Sequence, residues 1–448
     1  MSARQVLLRV VRGRLPAGTL PVGAGLVVLG VTSYGFLGIA ARSLDAVSFA
    51  ELSVVWTVLF TLGPGVFLPL EQETAKRLVV IRQPRSARQL VRRALWISGA
   101  MLVVVTALTL VALAFLADRL IGPDVYLWVA MIAANSVLTL VHCSRGWLAG
   151  TDRFGHYGTQ LALDGTLRMA GAAVLLAFGC RSVSWFGWVL FGSQLLAVLT
   201  TVAHARRSRG HAPAPTEQAL AGPDPDVATM PVLARSIGLL VTATLASQLV
   251  INAGPVAVKA LAAPTDVAAG HFLTTLIIAR IPLFLFSALQ ASLLPGLARL
   301  VAAGNVAAVV HSLKRLSMLL GLLGLGLSAL LAVAGPLVTG LVFGPSYRAD
   351  RTPLVVLALG CTIYMLSSVL AQALLAVHAT ASVAIGWWLG VLVFAGCLGV
   401  GLSLPLRVSL ALLVGAAASG GYFGWSLRRQ LREHAAADRL PDAVAIDG

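Results

Sequence analysis

Charged residues are scarce in this sequence. Acidic and basic residues together make up 11% of its 448 residues, whereas hydrophobic residues make up 58%, and the mean hydropathy is +0.89. A water-soluble protein of this length needs a much more polar surface, since charged residues are found almost entirely on the outside of such proteins. The scarcity excludes a soluble protein and predicts an all-α polytopic membrane protein.

Lysine is rarer still, with three copies at Lys76, Lys259 and Lys314. None of them follows a glycine, so the phosphate-binding loop of ATPases is absent. The sequence also lacks a nucleophile elbow, the His and Glu spacing of zinc enzymes, and cysteines spaced for metal or disulfide formation. We therefore expect no enzyme, no cofactor and no metal site. Any transport must draw on an ion gradient, the membrane potential or removal of the product.

Apolar runs predict about twelve membrane spans, six on each side of a polar segment. The predicted spans are 17–41, 47–70, 94–118, 125–148, 157–179 and 183–204 in the first half, and 236–261, 267–297, 315–343, 353–376, 381–403 and 406–426 in the second. The predicted domains are a cytoplasmic amphipathic N-terminus (1–16), a six-helix lobe (17–204), a cytoplasmic linker (205–235), a second six-helix lobe (236–427) and a cytoplasmic tail (428–448).

Basic residues exceed acidic ones by 16, but they lie in short loops between apolar runs. This is the pattern of loops held at the cytoplasmic face, so we expect no nucleic-acid partner. With the N-terminus inside, 24 of the 33 lysines and arginines fall on the inner side and 7 on the outer side. The asymmetry predicts a protein of the cytoplasmic membrane with both termini in the cytoplasm.

The two halves contain short matching stretches in the same order. The matching pairs are 41–44 with 258–261, 75–78 with 297–300, and 120–126 (LIGPDVY) with 341–347 (LVFGPSY). Six spans per half is an even number, so both halves enter the membrane from the same side. We therefore predict two lobes related by an internal pseudo-two-fold repeat, with a substrate site where they face each other, as in transporters.

Several stretches resemble one transporter superfamily. Residues 145–154 (RGWLAGTDRF), 68–73 (LPLEQE) and the two Gly-Pro stretches, together with the six-plus-six arrangement, resemble the multidrug/oligosaccharidyl-lipid/polysaccharide (MOP) exporters. The likeness covers 17–427 and is similar in particular to the polysaccharide-flippase branch. It implies a MATE-like fold and the movement of a polyprenyl-diphosphate-linked oligosaccharide to the outer leaflet for surface polysaccharide export or assembly.

The partners implied by this resemblance are a lipid-linked sugar, membrane lipids, and a polysaccharide polymerase or glycosyltransferases. Three alternatives remain open: a cation-coupled multidrug antiporter of the same superfamily, a flippase for the peptidoglycan lipid precursor, and an integral-membrane polysaccharide polymerase or ligase. The antiporter needs acids in its cleft rather than a central arginine. The polymerase usually carries a large outer loop, whereas the long loop here is predicted to be cytoplasmic.

Arg280 is the sharpest candidate for substrate binding. It lies near the middle of the eighth predicted span, where burying an arginine costs about 2.5–3.5 kcal/mol, so such residues usually face a wet cavity. Its fork of donors matches the oxygens of a diphosphate. The alternative is a structural ion pair with a neighbouring helix.

Two further pairs of cations occupy equivalent positions in the two halves. Arg42 and Lys259 end the first and seventh spans on the outer side, and Arg77 and Arg299 lie on the inner side. All four are candidate ligands of an anionic substrate. The alternatives are snorkelling to the surface for the outer pair and the usual excess of inner cations for the other.

Acids and a histidine within the spans are candidates for binding a coupling ion. Asp164 and Arg168 are four residues apart and thus on one helix face, where they can also simply neutralise each other. Glu51, Glu71 and His271 lie near span ends, and His271 has a side chain that titrates near neutral pH. For these three the alternative is an interfacial position without function.

Proline and glycine interrupt two predicted spans. Gly254 and Pro255 lie in the seventh span, and Pro64 lies between two glycines in the second. Pro282 follows Arg280 in the eighth. Proline removes a backbone hydrogen bond and kinks a helix, so these are candidate hinges, with helix packing as the alternative.

Overall fold

The computed structural model describes residues 18–79, 81, 83–120, 122, 124–208, 229–263, 266–281, 283, 306–377 and 379–437. Within these residues the structure is helical and contains no strand. The predicted amphipathic N-terminus, the centre of the linker, Pro282 and Arg299 lie outside the described residues.

The helices follow the apolar runs closely. In chain order they are α1 (Thr19–Ser43), α2 (Ala46–Leu62), a π-helical segment (Gly63–Phe67), α3 (Leu68–Leu78), α4 (Pro84–Leu120), α5 (Val125–Gly150), α6 (Phe154–Ala177), α7 (Val183–Arg207), α8 (Met230–Asn252), α9 (Gly254–Leu261), α10 (Ala268–Ala279), α11 (Val306–Phe343), α12 (Arg351–Ala376), α13 (Thr380–Cys397) and α14 (Leu404–Ala437). We call Gly63–Phe67 the π segment.

Ten helical stretches of the described chain are long and apolar enough to cross a membrane, with α2, the π segment and α3 counted as one. Two of the twelve predicted spans are not among them. The helix α6 is long enough, but Asp164 and Arg168 interrupt its apolar run. The helix α10 has 12 residues, and most of the predicted span 267–297 beyond it lies outside the described residues. The all-helical, multi-pass prediction is confirmed.

Aspartate side chains begin two of the helices of the first half. Asp45 accepts hydrogen bonds from the backbone of Val47 and Ser48 at the start of α2. Burial raises the pKa of Asp45, but the bonds from Ser48 and Val47 outweigh it, so this pKa lies below its ordinary value. Asp124 caps α5 in the same way. Such caps satisfy amide groups that the first helical turn leaves unpaired.

The chain divides into two compact units. The first unit comprises Met1–Val241, Lys259–Gly270 and Val342–Gly344, and the second comprises Thr242–Val258, His271–Leu341 and Pro345–Gly448. The predicted two-lobe arrangement is consistent with this division. Short segments of the second half of the sequence, including the end of α9, nevertheless belong to the first unit.

Close helix packing in each unit depends on glycine. In the first unit, a Cβ atom at Gly146 on α5 would lie 2.9 Å from the Glu71 carbonyl oxygen on α3, and one at Gly150 would lie 2.6 Å from the Leu78 Cβ. In the second unit, a Cβ at Gly390 on α13 would lie 2.9 Å from the carbonyl oxygen of Gly415 on α14. Small residues let membrane helices approach each other where apolar burial gives little driving force.

The Gly-Pro stretches of the predicted repeat end two very similar helices. The helix α4 has 37 residues and α11 has 38. Each is followed by a glycine with positive φ, Gly122 at 72° and Gly344 at 114°, a conformation that glycine adopts without steric cost. The matching lengths and ends are consistent with the predicted repeat.

Candidate functional site

Two buried acids of the first unit form separate polar clusters. The first surrounds Asp164 on α6, whose Oδ1 lies 2.6 Å from Nη2 of Arg168. Its Oδ2 lies 3.8 Å from Nη2 of Arg145 on α5. Ser193 on α7 donates a weak hydrogen bond of 3.4 Å to Oδ1. Arg168 also packs its guanidinium over the Trp56 ring at 5.5 Å. Asp164 and Arg168 thus form the pair that their spacing predicts, with a second arginine that the prediction missed.

The second cluster surrounds Glu71 on α3. Its Oε2 lies 2.8 Å from Nδ1 of His142 on α5, and its Oε1 accepts a hydrogen bond from the Tyr157 hydroxyl on α6. Glu71 is 5% exposed and His142 6% exposed. We call Glu71, His142 and Tyr157 the Glu71 triad. One carboxylate therefore joins three helices, and its sequence position near a span end did not reveal this burial.

Arg145 lies one turn beyond His142 on α5 and next to Asp164, so it stands between the two clusters. It lies within α5 and is 9% exposed. With His142 neutral, the charges of Glu71 and Asp164 balance those of Arg145 and Arg168. Buried charges are tolerated when they are paired in this way.

Glu73 and Arg77, which are predicted to lie towards the inner side, pair with each other. Glu73 Oε1 lies 2.6 Å from Nη2 of Arg77, one turn along α3. Arg77 thus already has an anionic partner in this structure, and its proposed equivalent, Arg299, lies outside the described residues.

The two cations predicted to lie on the outer side have different surroundings. Arg42 is exposed in the last turn of α1, whereas Lys259 is 1% exposed. The Lys259 ammonium lies 3.5 Å from the Asp266 carbonyl oxygen and interacts electrostatically with Glu51. Snorkelling to the surface therefore does not describe Lys259. In the first unit the structure brings Lys259 close to Glu51, which the sequence placed near the start of the second span.

Arg280 lies at the meeting point of two helix ends in the second unit. It follows the last residue of α10, and its Nη1 donates a 2.7 Å hydrogen bond to Oδ1 of Asn252, the last residue of α8. Asn252 in turn donates to Gln248. Arg280 is close enough to Tyr364 and Cys361 on α12 to interact with them electrostatically. The carbonyl ends of helices carry partial negative charge, so these two ends stabilise a cation.

The ion pairs within the described residues do not include Arg280. They join Glu73 with Arg77, Glu71 with His142, and Asp164 with both Arg145 and Arg168. The structural ion pair that we considered for Arg280 is thus not present among these residues; an amide and two helix ends surround the guanidinium instead. His271 lies near the start of α10 and packs on the Tyr347 ring, with ring centroids 4.9 Å apart.

The described hinge candidates both coincide with breaks in helical geometry. Pro64 lies in the π segment. Proline has no backbone N–H to donate, and the wider π turn tolerates the missing hydrogen bond. At the other break α8 ends at Asn252, and α9 begins at Gly254 with Pro255 in its first turn. A Cβ at Gly254 would lie 2.4 Å from the Phe272 ring, so glycine is required there by close packing as well.

Comparisons with known proteins identify the fold. No family model matches the sequence. Uncharacterized proteins of Mycobacterium bovis and Mycobacterium tuberculosis are each 25% identical to it over 417 residues, which covers 90% of both chains. Neither relative carries a described activity.

Solved structures give a more specific likeness. A multidrug resistance MATE family transporter of the MOP superfamily, in an inward-facing conformation, has a TM-score of 0.70 at 11% identity and covers 90% of this chain and 95% of its own. A MOP superfamily transporter from Pyrococcus furiosus, described as having a binding pocket of reverse polarity, has a TM-score of 0.68 at 14% identity over 93% and 95%. The Vibrio cholerae MATE transporter VcmN has a TM-score of 0.62 at 11% identity over 93% and 96%.

The chain has the fold of MATE transporters of the MOP superfamily. That fold, with its ten membrane-capable helices, is that of a multi-pass membrane protein. It does not separate the polysaccharide branch of the superfamily from the multidrug branch.

Proposed function

We propose that this chain is a secondary transporter that flips a polyprenyl-diphosphate-linked oligosaccharide across the cytoplasmic membrane, with both termini in the cytoplasm. Arg280 is its principal diphosphate ligand. The observation that carries this proposal is the setting of Arg280, a partly buried cation held by Asn252 and two helix ends and by no carboxylate among the described residues.

A guanidinium in this setting favours an anionic ligand. It has five N–H donors in a planar fork, and Asn252 accepts from one of its nitrogens. A diphosphate can accept from several of the others at once, and such charge-assisted bonds are about twice as strong as neutral ones. A cationic drug would instead be repelled by the same group.

A cation-coupled multidrug antiporter is the second candidate. It is supported by the buried acids Glu71 and Asp164 and by the multidrug transporters that share the fold. In this structure, however, each acid is paired with a basic side chain. The Pyrococcus furiosus transporter is described as having a binding pocket of reverse polarity. It supports the view that some proteins with this fold bind substrates other than cationic drugs.

Ligand binding by the purified protein in nanodiscs separates the two candidates. The probes are undecaprenyl diphosphate as the anionic lipid and ethidium as the cationic drug. We expect wild-type protein to bind the lipid and Arg280→Ala to bind it at least about tenfold more weakly, as loss of one charged hydrogen bond implies. Arg280→Lys should fall between them, because it keeps the charge without the fork.

Arg351→Ala is the matched control, since Arg351 is an exposed arginine at the start of α12. Its affinity for undecaprenyl diphosphate should equal that of the wild type. Equal binding of this lipid by wild type and Arg280→Ala would overturn the proposal. Tight ethidium binding without lipid binding would establish the antiporter instead.

A further inference from the structure

The Glu71 triad is a group of buried titratable side chains that the proposed substrate site does not use. Its carboxylate accepts from both Tyr157 and Nδ1 of His142, and it lies almost out of contact with solvent. When Glu71 is ionised and His142 is neutral, the imidazole proton sits on Nδ1, because that nitrogen faces the carboxylate. The second nitrogen, Nε2, is then a base.

The surroundings of the triad set its charge. The titratable and charged groups that act on it are Arg145 and Cys143 on α5. Arg145 also pairs with Asp164 on α6, and Glu73 and Arg77 pair with each other on the helix that carries Glu71. Glu73 and Arg77 cancel each other, as do Arg145, Arg168, Glu71 and Asp164 taken together. The triad can therefore change by one proton from a neutral starting point.

Asp164 is less suited to exchange a proton. Two guanidiniums flank its carboxylate at 2.6 and 3.8 Å, so its negative charge has two cationic partners. Protonating it would leave two buried arginines without a counter-charge. Glu71 has instead a partner, His142, whose imidazole can take up a proton, and the carboxylate can serve as its counter-ion.

The donor set of the triad suits a proton better than a metal ion. Hard cations such as Na⁺ and Mg²⁺ take several oxygen ligands, whereas this cluster offers one carboxylate, an imidazole and a phenol that already donates its proton. The described residues contain no group of three or more His, Cys, Asp or Glu side chains suited to a metal. The charge of Arg145 nearby further opposes a metal cation.

His142 also contacts the break in the second span. Its ring stacks on Phe67 of the π segment, with centroids 6.2 Å apart. A Cβ at Gly63, the first residue of that segment, would lie 3.6 Å from Nε2. The nitrogen that would receive the proton thus faces the backbone where the span departs from α-helical geometry.

We propose that the Glu71 triad is a proton-binding site: a proton from water binds His142 at Nε2, forming an imidazolium paired with the Glu71 carboxylate, while Tyr157 keeps its own proton and holds the carboxylate in place. The added charge lies against the π segment and changes how the second span bends there. Its coupling to transport rests on the proposed function; the proton site itself does not.

The direct test is nitrogen NMR of ¹⁵N-histidine-labelled protein in nanodiscs, with His142 assigned by its absence in His142→Gln. We expect the His142 signal to change from the neutral to the doubly protonated form within about pH 5–8, the range in which histidine switches. In Glu71→Gln, which keeps the shape but removes the counter-ion, the change should occur at a pH lower by at least about one unit, a tenfold loss of proton affinity.

A His142 signal that stays neutral throughout this range in the wild type would overturn the proposal, as would a titration identical in Glu71→Gln. In Glu71→Asp, which keeps the counter-ion, His142 should titrate at a pH between those of the wild type and Glu71→Gln. If the triad has only a structural role, His142 should not titrate in any of these proteins. Arg280→Ala should leave the His142 titration unchanged. If the site titrates but undecaprenyl diphosphate does not bind, the proposed substrate is wrong and the proton site stands.

Discussion

Among the described residues, the first unit buries ionised side chains, whereas the second buries hydroxyls, an amide and aromatic rings, and its Arg280 is only partly buried. Within the described residues, every charged side chain that is buried belongs to the first unit: Glu71, Glu73, Arg145, Asp164, Arg168 and Lys259. In the second unit Ser247 pairs with the Tyr364 hydroxyl, and Tyr364 packs on Trp387 at 5.1 Å.

This difference is informative because the helices of the two halves correspond. The helices α5 and α12 both have 26 residues, and α4 and α11 end alike. The helix lengths of the two halves thus agree, while the interior chemistry of the two units differs. A self-neutralising network suits a unit that exchanges a proton, and a partly buried arginine outside such a network suits a unit that holds an anion.

The largest effect is expected from breaking the charge balance of the first unit with Asp164→Asn. The change leaves Arg145 and Arg168 buried without an anion, which should cost about 3–5 kcal/mol. Thermal unfolding and size-exclusion chromatography in detergent should show a strongly destabilised protein.

Asp152→Asn is the control for that variant. Asp152 is exposed and has a positive φ of 56°, which asparagine also tolerates. The Asp152→Asn protein should therefore have the same melting temperature as the wild type. An Asp164→Asn protein as stable as this control would show that the network is not held together by charge.

The corresponding change in the second unit is Asn252→Ala, which removes the amide partner of Arg280. We expect a smaller loss, about 1.5–3 kcal/mol, because Arg280 is only partly buried and retains two helix ends. The measurement is again the melting temperature in detergent.

Asn252→Asp sharpens this test. A carboxylate at this position would pair with Arg280, so it should preserve or raise the melting temperature while weakening undecaprenyl diphosphate binding. Unchanged lipid binding in Asn252→Asp would argue that the charge of Arg280 plays no part in recognition.

Helix packing should respond equally in the two units. Gly146→Val in the first and Gly390→Val in the second place new atoms against backbone on a neighbouring helix, and each should cost about 1–3 kcal/mol. Gly192→Val and Gly238→Val are the controls, because nothing lies within 4 Å of a Cβ atom at either position. A loss confined to one unit would mean that the scaffold is not shared as closely as the helix lengths indicate.

The smallest effect concerns the caps of the two corresponding helices. Asp124 accepts two backbone hydrogen bonds at the start of α5, whereas Asp350 at the start of α12 makes no side-chain cap. Asp124→Ala should therefore cost about 1 kcal/mol, seen as a lower melting temperature, and Asp350→Ala should cost nothing measurable. Equal losses in both would contradict this assignment.

The sequence predicts the helices well because hydropathy and proline or glycine act locally. It also predicts the Asp164–Arg168 pair, whose members are one turn apart on a single helix. It does not predict the Glu71 triad, because His142 and Tyr157 lie 71 and 86 residues away along the chain and only tertiary packing joins them. The signal that was available is weak: His142 and Arg145 are polar residues spaced at i and i+3 within an apolar span.

Arg280 shows the opposite case. Its apolar surroundings in the sequence indicate an unusual charge, but the structure alone supplies its partner, since Asn252 lies 28 residues away at the end of another helix. Lys259 is likewise beyond prediction from its position at a span end, because its burial depends on which segments join the first unit.

The π segment has a consequence for how Glu71 came to face His142. A π turn holds one residue more than an α turn, and one residue corresponds to about 100° of rotation around a helix axis. Deleting a single residue from Gly63–Phe67 would restore regular winding and swing the Glu71 carboxylate by more than a quarter turn away from the imidazole. A one-codon insertion or loss is therefore enough to assemble or dismantle this contact, without any change to the acid or the base.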